Sequence, residues 1–352
     1  MDLSLVAIWS YALYQTTAIV AAMMKHPPAA PARLVRTAPA LAALVYPALV
    51  WTGPAVWPPL LASALLAPAV AIWALFRLPP AAATARAVAL AAVAAPPMFS
   101  LLGGLLDWQH ALPLSSVGVW IPLWLALATL ASREPPRAPG SAHAPRADPP
   151  ALQPAAPARR APRSLALLHG VSALPIILFA LAHIVNHVGG VAGGAVHLAI
   201  MHALRTVYRH PVIEPVLLAC VAVQVITGVI LVGRRLRREL DRFAIIQTAA
   251  GAYLAMFFAS HVTAALRARG RGADPDWTWL TGSPLFTDPW SARLVPYYAL
   301  VVFALAVHLA CAVRGVAIAR GARAERWGWL VVASVGLAAV AATLILVGLA
   351  RG

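Results

Sequence analysis

The sequence predicts an all-α polytopic membrane protein of about ten transmembrane helices. Three observations carry this. Of 352 residues, 61% are hydrophobic and 11% are charged, whereas soluble domains average roughly 25% charged residues. So few charges cannot cover a globular surface of this size, which excludes a soluble enzyme and a disordered chain. Apolar runs of about 20 residues, the length a helix needs to cross a bilayer, recur along the chain. The cations cluster between those runs.

The elements follow in order. A first run, 3–24, carries Asp2 ahead of it and meets no cation before Lys25, unlike a secretory signal with its basic start. Runs 37–52 and 57–76 share a Trp/Pro-rich boundary, and 87–106 and 113–132 follow. Residues 133–163 are rich in Pro, Ala and Arg, have no apolar period, and predict an extended linker. Five more runs come next: 165–188, 211–232, 243–266, 294–313 and 328–350. The chain thus divides into a five-helix region 1–132 of unassigned role, the linker 133–163, and a second transmembrane domain, 164–352.

Orientation comes from the cations. With the N-terminus outside, 20 of the 27 Lys and Arg fall in inside loops and 7 outside, as the positive-inside rule requires. The net charge of +16 therefore reads as topology, and nucleic acid is not expected as a partner. The expected setting is lipid, a bacterial inner (cytoplasmic) membrane, with the linker in the cytoplasm. Cys220 and Cys311 sit inside apolar runs and imply no disulfide framework.

The eleven histidines are unevenly spread. His26 and His143 lie in loops and His110 at an outer boundary, while the other eight all follow residue 164. Ionisable groups within a bilayer are costly and mark sites by default. His183 lies 18 residues past the start of its run at 165, and His261 lies 18 past 243. Both runs cross from inside to outside, so at 1.5 Å per residue the two share one level near the outer face. Gln224 and His308, on runs of the opposite sense, share a second level nearer the inside.

Two imidazoles at one depth on separate helices suit a six-coordinate haem, whose iron takes one axial nitrogen on each face. Ala182 and Ala259 leave room for a flat ring. Arg205, Arg209, Arg267 and Arg269 lie just outside, where they could pair with propionates. The same pair also reads as two buried histidines hydrogen-bonded to neighbouring carbonyls. His187, one turn beyond His183 on the same face, could replace it as ligand or bond a propionate. His197, His202 and His210 fall in an outer amphipathic stretch and read as interfacial.

Other segments match a known pattern in order. They are Leu168-His169-Gly170 with Phe179 to Asn186, then His197 to Glu214, and Gln224-Val-Ile-Thr-Gly228. Gln247-Thr-Ala-Ala-Gly251 with Ser260-His261-Val262 follows, and last Pro296-Tyr297-Tyr298 leading to His308. Across about 164–320 the chain resembles the five-helix, di-haem cytochrome b membrane-anchor subunit of succinate:quinone oxidoreductases and fumarate reductases. The resemblance implies a cytochrome b-type bundle with haem ligands at His183, Gln224, His261 and His308. Glutamine is not an expected ligand, so the inner pair is broken and one haem b is expected, at the outer His183–His261 site. The resemblance also implies quinone, and a flavoprotein with an iron–sulfur subunit as partners. His169 and Gln247 could contact a quinone carbonyl. Glu214 could relay a proton there, or simply be a carboxylate stabilised at a helix N-terminus. His308 reads as a ligand without a partner, a ligand to a five-coordinate haem, or packing.

Two functions follow as expectations. One is a haem b membrane protein that moves electrons, with a quinone and as a possible non-catalytic subunit of a quinone oxidoreductase. The other is an orphan membrane protein that keeps the fold for structure, assembly or transport. The clusters Tyr14 to Thr17 and Asp107 to His110 read as helix packing and interface residues.

Overall fold

The computed structural model describes residues 31–48, 65–106, 114–133, 163–282 and 294–351. The expected first run 3–24, the body of the linker, the clusters at 14–17 and 107–110, His26 and His143 lie outside the described residues. Among the described residues every regular element is a helix.

The first part holds α1 (Ala32–Leu44), α2 (Leu66–Leu75), α3 (Ala83–Val93), α4 (Ala95–Leu106) and α5 (Leu114–Arg133). The run expected at 87–106 is not one straight helix: α3 and α4 meet at a bend of 67°. Pro96 and Pro97 occupy the first turn of α4. They lack the N–H groups that would continue the hydrogen-bond ladder of α3, so the helix restarts there in a new direction. Around it, Tyr46, Phe99 and Trp120 are fully buried against one another, with Phe99 and Trp120 ring centres 5.2 Å apart. The Trp120 indole Nε1 donates to Ala43 O at 2.9 Å, which satisfies its polar edge inside the apolar cluster.

The second part holds α6 (Arg163–Gly189), a 3₁₀ turn (Gly190–Ala192), α7 (Gly194–Tyr208), α8 (Ile213–Arg235), α9 (Arg242–Gly270), α10 (Trp277–Thr281), α11 (Leu294–Ala319) and α12 (Ala324–Arg351). Five long helices close a ring. α6 packs on α8, α8 on α9, α9 on α11, α11 on α12, and α12 returns to α6. Asp241 starts α9 as an N-cap, its carboxylate accepting from Ala244 N at 2.7 Å.

Six helices are long and apolar enough to cross a membrane: α5, α6, α8, α9, α11 and α12. The bent pair α3–α4 makes seven if it is one span. These six correspond to the runs expected from 113 onward. Ahead of the bent pair the described helices are short, 13 residues in α1 and 10 in α2. Leucines and valines such as Leu174, Leu178, Val185, Val229 and Val340 face outward on the long helices. In water that surface would be unfavourable; in lipid it is the expected outer face.

The two parts touch. α3 and α4 pack on α9. Arg86, only 4% exposed, donates from Nη1 to Leu236 O and to Arg238 O, each at 2.8 Å. The loop between α2 and α3 and the loop between α8 and α9 therefore lie at one end of the bundle.

Candidate functional site

At the opposite end, the ring encloses a cavity of about 340 Å³ lined by all five long helices and by α7 and α10. Cofactor pockets are commonly about 300–1,000 Å³. His183 of α6 and His261 of α9 both line it, and their ring centres are 6.1 Å apart at an interplanar angle of 63°. Equal depth on two helices of the same sense brings them together. Each is steadied the same way, by an aromatic ring one turn earlier on its own helix. Phe179 stacks on His183 at 5.4 Å and 19°, and Phe257 stacks on His261 at 5.1 Å and 14°.

This spacing can be compared with an iron site. With metal–imidazole bonds of about 2 Å each, two imidazoles on opposite faces of a metal have ring centres roughly 6 Å apart. The chamber around the pair is apolar, bordered by Leu218, Leu254, Val301, Leu305 and Ile345. No group of three or more His, Cys, Asp or Glu able to hold a metal ion occurs among the described residues. A haem asks the protein for two axial ligands only, so a two-histidine site fits it where a bare ion would lack ligands.

The neighbours of the pair form a polar strip. His187 Nε2 lies 3.2 Å from His183 Nε2, so one of the two donates to the other. Asn186 Nδ2 donates to His197 Nε2 at 3.1 Å, which puts the proton of a neutral His197 on Nδ1. His197 is 2% exposed, packed between His187 and Trp277. It is thus a buried cavity residue, where sequence predicts an interfacial one. Helical amphipathicity alone does not register that α10 folds back over α7. His202 and His210 are exposed, in accord with an interfacial position. His197 Nδ1 and Asn186 Oδ1 are buried without a hydrogen-bond partner among the described residues. Buried polar groups are rarely left so, and both residues line the chamber, where a bound group could complete them. The His197 imidazole is held below its ordinary pKa, first by burial and then by the charge of Arg205, with Asp276 opposing.

Charged groups close the mouth. Arg205 donates to Asp274 Oδ2 at 2.6 Å and to Pro275 O at 2.8 Å, while Arg209 donates to Asp274 Oδ1 at 2.8 Å. Asp274 is held below the usual carboxylate range, chiefly by the Arg209 hydrogen bond. Glu214, in the first turn of α8, pairs with Arg269 of α9. Arg205, Arg209, Glu214 and Arg269 line the cavity, and Arg267 does not. Trp277 packs against the 3₁₀ turn: a Cβ on Gly190 or Gly194 would lie 2.6 Å from its ring.

The residues expected to serve a quinone are not brought together. Glu214 sits at the mouth. His169 and Gln247 lie at the other end, where Gln247 Oε1 accepts from Arg235 at 3.2 Å and its backbone O faces His308 Nδ1 at 3.0 Å. Phe257, which the sequence reading does not name, stacks on His261, while Phe179 and Tyr298 enter that reading only within the matched segments, with no role of their own.

No protein-family model, no curated protein and no solved structure matches the chain. The fold and the cavity define a helical protein with membrane-crossing helices and a histidine-lined apolar chamber near one end.

Proposed function

We propose that this chain binds haem b between His183 and His261 and takes part in electron transfer with a quinone. The observation that carries the reading is the 6.1 Å separation of two imidazoles from different helices inside an apolar chamber of about 340 Å³. Haem, when bound, supplies a one-electron couple, and the protein tunes it by ligation and burial. The residues of this chain have distinct parts. His183 and His261 would hold the haem iron, and Phe179 and Phe257 fix their ring planes. The apolar walls exclude water, and Arg205, Arg209 and Arg269 put positive charge at the mouth, where propionates would be compatible. Resemblance to the cytochrome b anchor of succinate:quinone oxidoreductases supports a quinone as redox partner and a flavoprotein/iron–sulfur partner on the inside. The His197 Nδ1–H could donate to a quinone oxygen or a propionate, and Asn186 Oδ1 could accept from a quinol hydroxyl.

A second reading has one observation in its favour. His183 Nε2 is hydrogen-bonded to His187, as in a bundle that keeps the fold without electron transfer and accepts another apolar ligand. Rapid mixing of the haem-loaded protein with ubiquinol or menaquinol analogues separates the two. Reduction of the haem band in wild type, lost in His183→Ala, is the expected result. A haem that no quinol reduces would leave the electron-transfer reading without support.

A further inference from the structure

We infer that the end of the bundle away from the chamber binds the phosphate group of an anionic phospholipid, through Arg86 and Arg235. The site does not depend on the haem reading and shares no residue with the chamber. It is a narrow cleft where the two parts of the chain meet. Leu75 of α2 and Arg86 of α3 line one side, and Arg235 of α8, Leu236 and Ile245 of α9 line the other. Its enclosed part measures about 10 Å³, the room of a single water-sized atom.

The two guanidiniums are held alike. Arg86 Nη1 donates to Leu236 O and Arg238 O, each at 2.8 Å. Arg235 Nη1 donates to Gln247 Oε1 at 3.2 Å and to Thr248 Oγ1 at 3.1 Å. All four acceptors are neutral, and neither arginine forms an ion pair among the described residues. A guanidinium carries five N–H donors, so three on each are unused among the described residues. Arg86 is 4% exposed. A charge so deep without a counter-charge is costly, and buried donors are rarely left unmet. An anion at the cleft answers both needs. A bias of exposed cations toward one side of a membrane does not account for an arginine buried in this way.

The position favours a lipid over a soluble anion. Arg235 ends the membrane-crossing stretch of α8, and Arg242 begins that of α9. The cleft therefore lies where hydrocarbon gives way to headgroups. Residues 234–242 hold five arginines against Glu239 and Asp241. Asp241 is already engaged, by Ala244 N and by Arg314. Arg237 and Arg238, which flank Leu236, are exposed. Basic pockets between helices at a membrane surface suit anionic headgroups. The cleft is too narrow to enclose a free phosphate, but it admits one phosphate oxygen. The rest of the headgroup then lies outside, among the exposed arginines, with apolar Leu75, Leu236 and Ile245 beside the adjoining chain.

The test is native mass spectrometry of the full chain in detergent, joined to its melting temperature. The probes are phosphatidylglycerol, phosphatidylcholine with the same acyl chains, and inorganic phosphate. Wild type should retain one phosphatidylglycerol at concentrations where it retains no phosphatidylcholine, and should melt at a higher temperature with it. Arg235→Gln should weaken that adduct about fivefold or more. Arg320, exposed in the loop between α11 and α12 at the same end, is the control. Arg320→Gln should leave the adduct unchanged. If Arg235→Gln does not fold, the comparison of the two lipids on wild type still decides. Equal retention of both lipids overturns the inference. So does an equal loss in both variants, which would show diffuse attraction to charge. Stabilisation by inorganic phosphate with no lipid adduct overturns the assignment to a lipid.

Discussion

His183 and His261 belong to helices that α7 and α8 separate in sequence, yet their imidazoles stand 6.1 Å apart. Each is stacked on a phenylalanine four residues earlier. The i, i+4 relation places each aromatic directly over its histidine on the helix face. The pair is therefore oriented by local helix geometry and brought together by the packing of the ring of helices.

Filling the chamber should abolish cofactor uptake without unfolding the bundle. Ala180 and Ala265 both line it. Ala180→Phe adds volume to existing empty space, so the apo protein should keep its melting temperature or gain a few degrees. Haem uptake by that protein, titrated in detergent, should fall at least tenfold. Unchanged uptake would show that the haem binds elsewhere.

The clamp at the mouth should weaken in acid. Asp274 has a folded pKa below its unfolded value, so its contribution is fully present above about pH 4, the ordinary carboxylate range. It is lost as pH falls through the depressed folded value. Asp274 is more than half exposed, so the effect on global stability is below about 1 kcal/mol. Local opening is the better readout: hydrogen exchange at 271–277 should quicken as pH drops below about 4, after correction for intrinsic rates. Asp274→Asn should show the quickened exchange already at neutral pH.

His197 should make acid unfavourable at a higher range. Its folded pKa is depressed, so the folded state resists the proton that the unfolded chain accepts below about pH 6.5. Stability at α7 is full above that value and declines as pH falls toward the folded pKa. His197→Phe should remove this slope from hydrogen exchange of 197–205, while the change at 271–277 from Asp274 persists.

Arg86 should be a structural tie between the two parts. Arg86→Met removes both charge-assisted hydrogen bonds to Leu236 O and Arg238 O and should cost about 2–4 kcal/mol. Arg86→Lys, with a single compact ammonium, should recover part of that in thermal unfolding.

Gly193 has φ +115° and ψ 161°, a region essentially closed to residues with a Cβ. Gly193→Ala should cost about 1–3 kcal/mol and loosen the turn against which Trp277 packs. Gly104, a helical glycine with open space around it, provides the control: Gly104→Ala should be neutral or stabilising in the same melt.

Much of the second domain was legible in the sequence. Long apolar runs mark the six long helices α5, α6, α8, α9, α11 and α12, because hydropathy integrates over twenty residues and tolerates local error. Counting residues from the start of each run put His183 level with His261, since helical rise is fixed by backbone geometry. The same counting put Gln224 and His308 at a common inner level. It did not reveal that His169 faces His308, because lateral pairing depends on how each helix is rotated in the ring, and α6 shows only a weak apolar face. Hydropathy does not register the bend between α3 and α4, although Pro96 and Pro97 announce it. His197 reads as interfacial in the sequence because amphipathicity says nothing of α10 returning to cover α7.

The most direct measurement is the reduced-minus-oxidised visible spectrum of the purified chain, with haem per chain quantified, for wild type, His183→Ala and His261→Ala. A low-spin b-type haem that disappears from both variants, while each still folds, is the expected result. Protein produced with ample haem that carries none, or a haem retained in full by both variants, would contradict the assignment of this pair as the ligands.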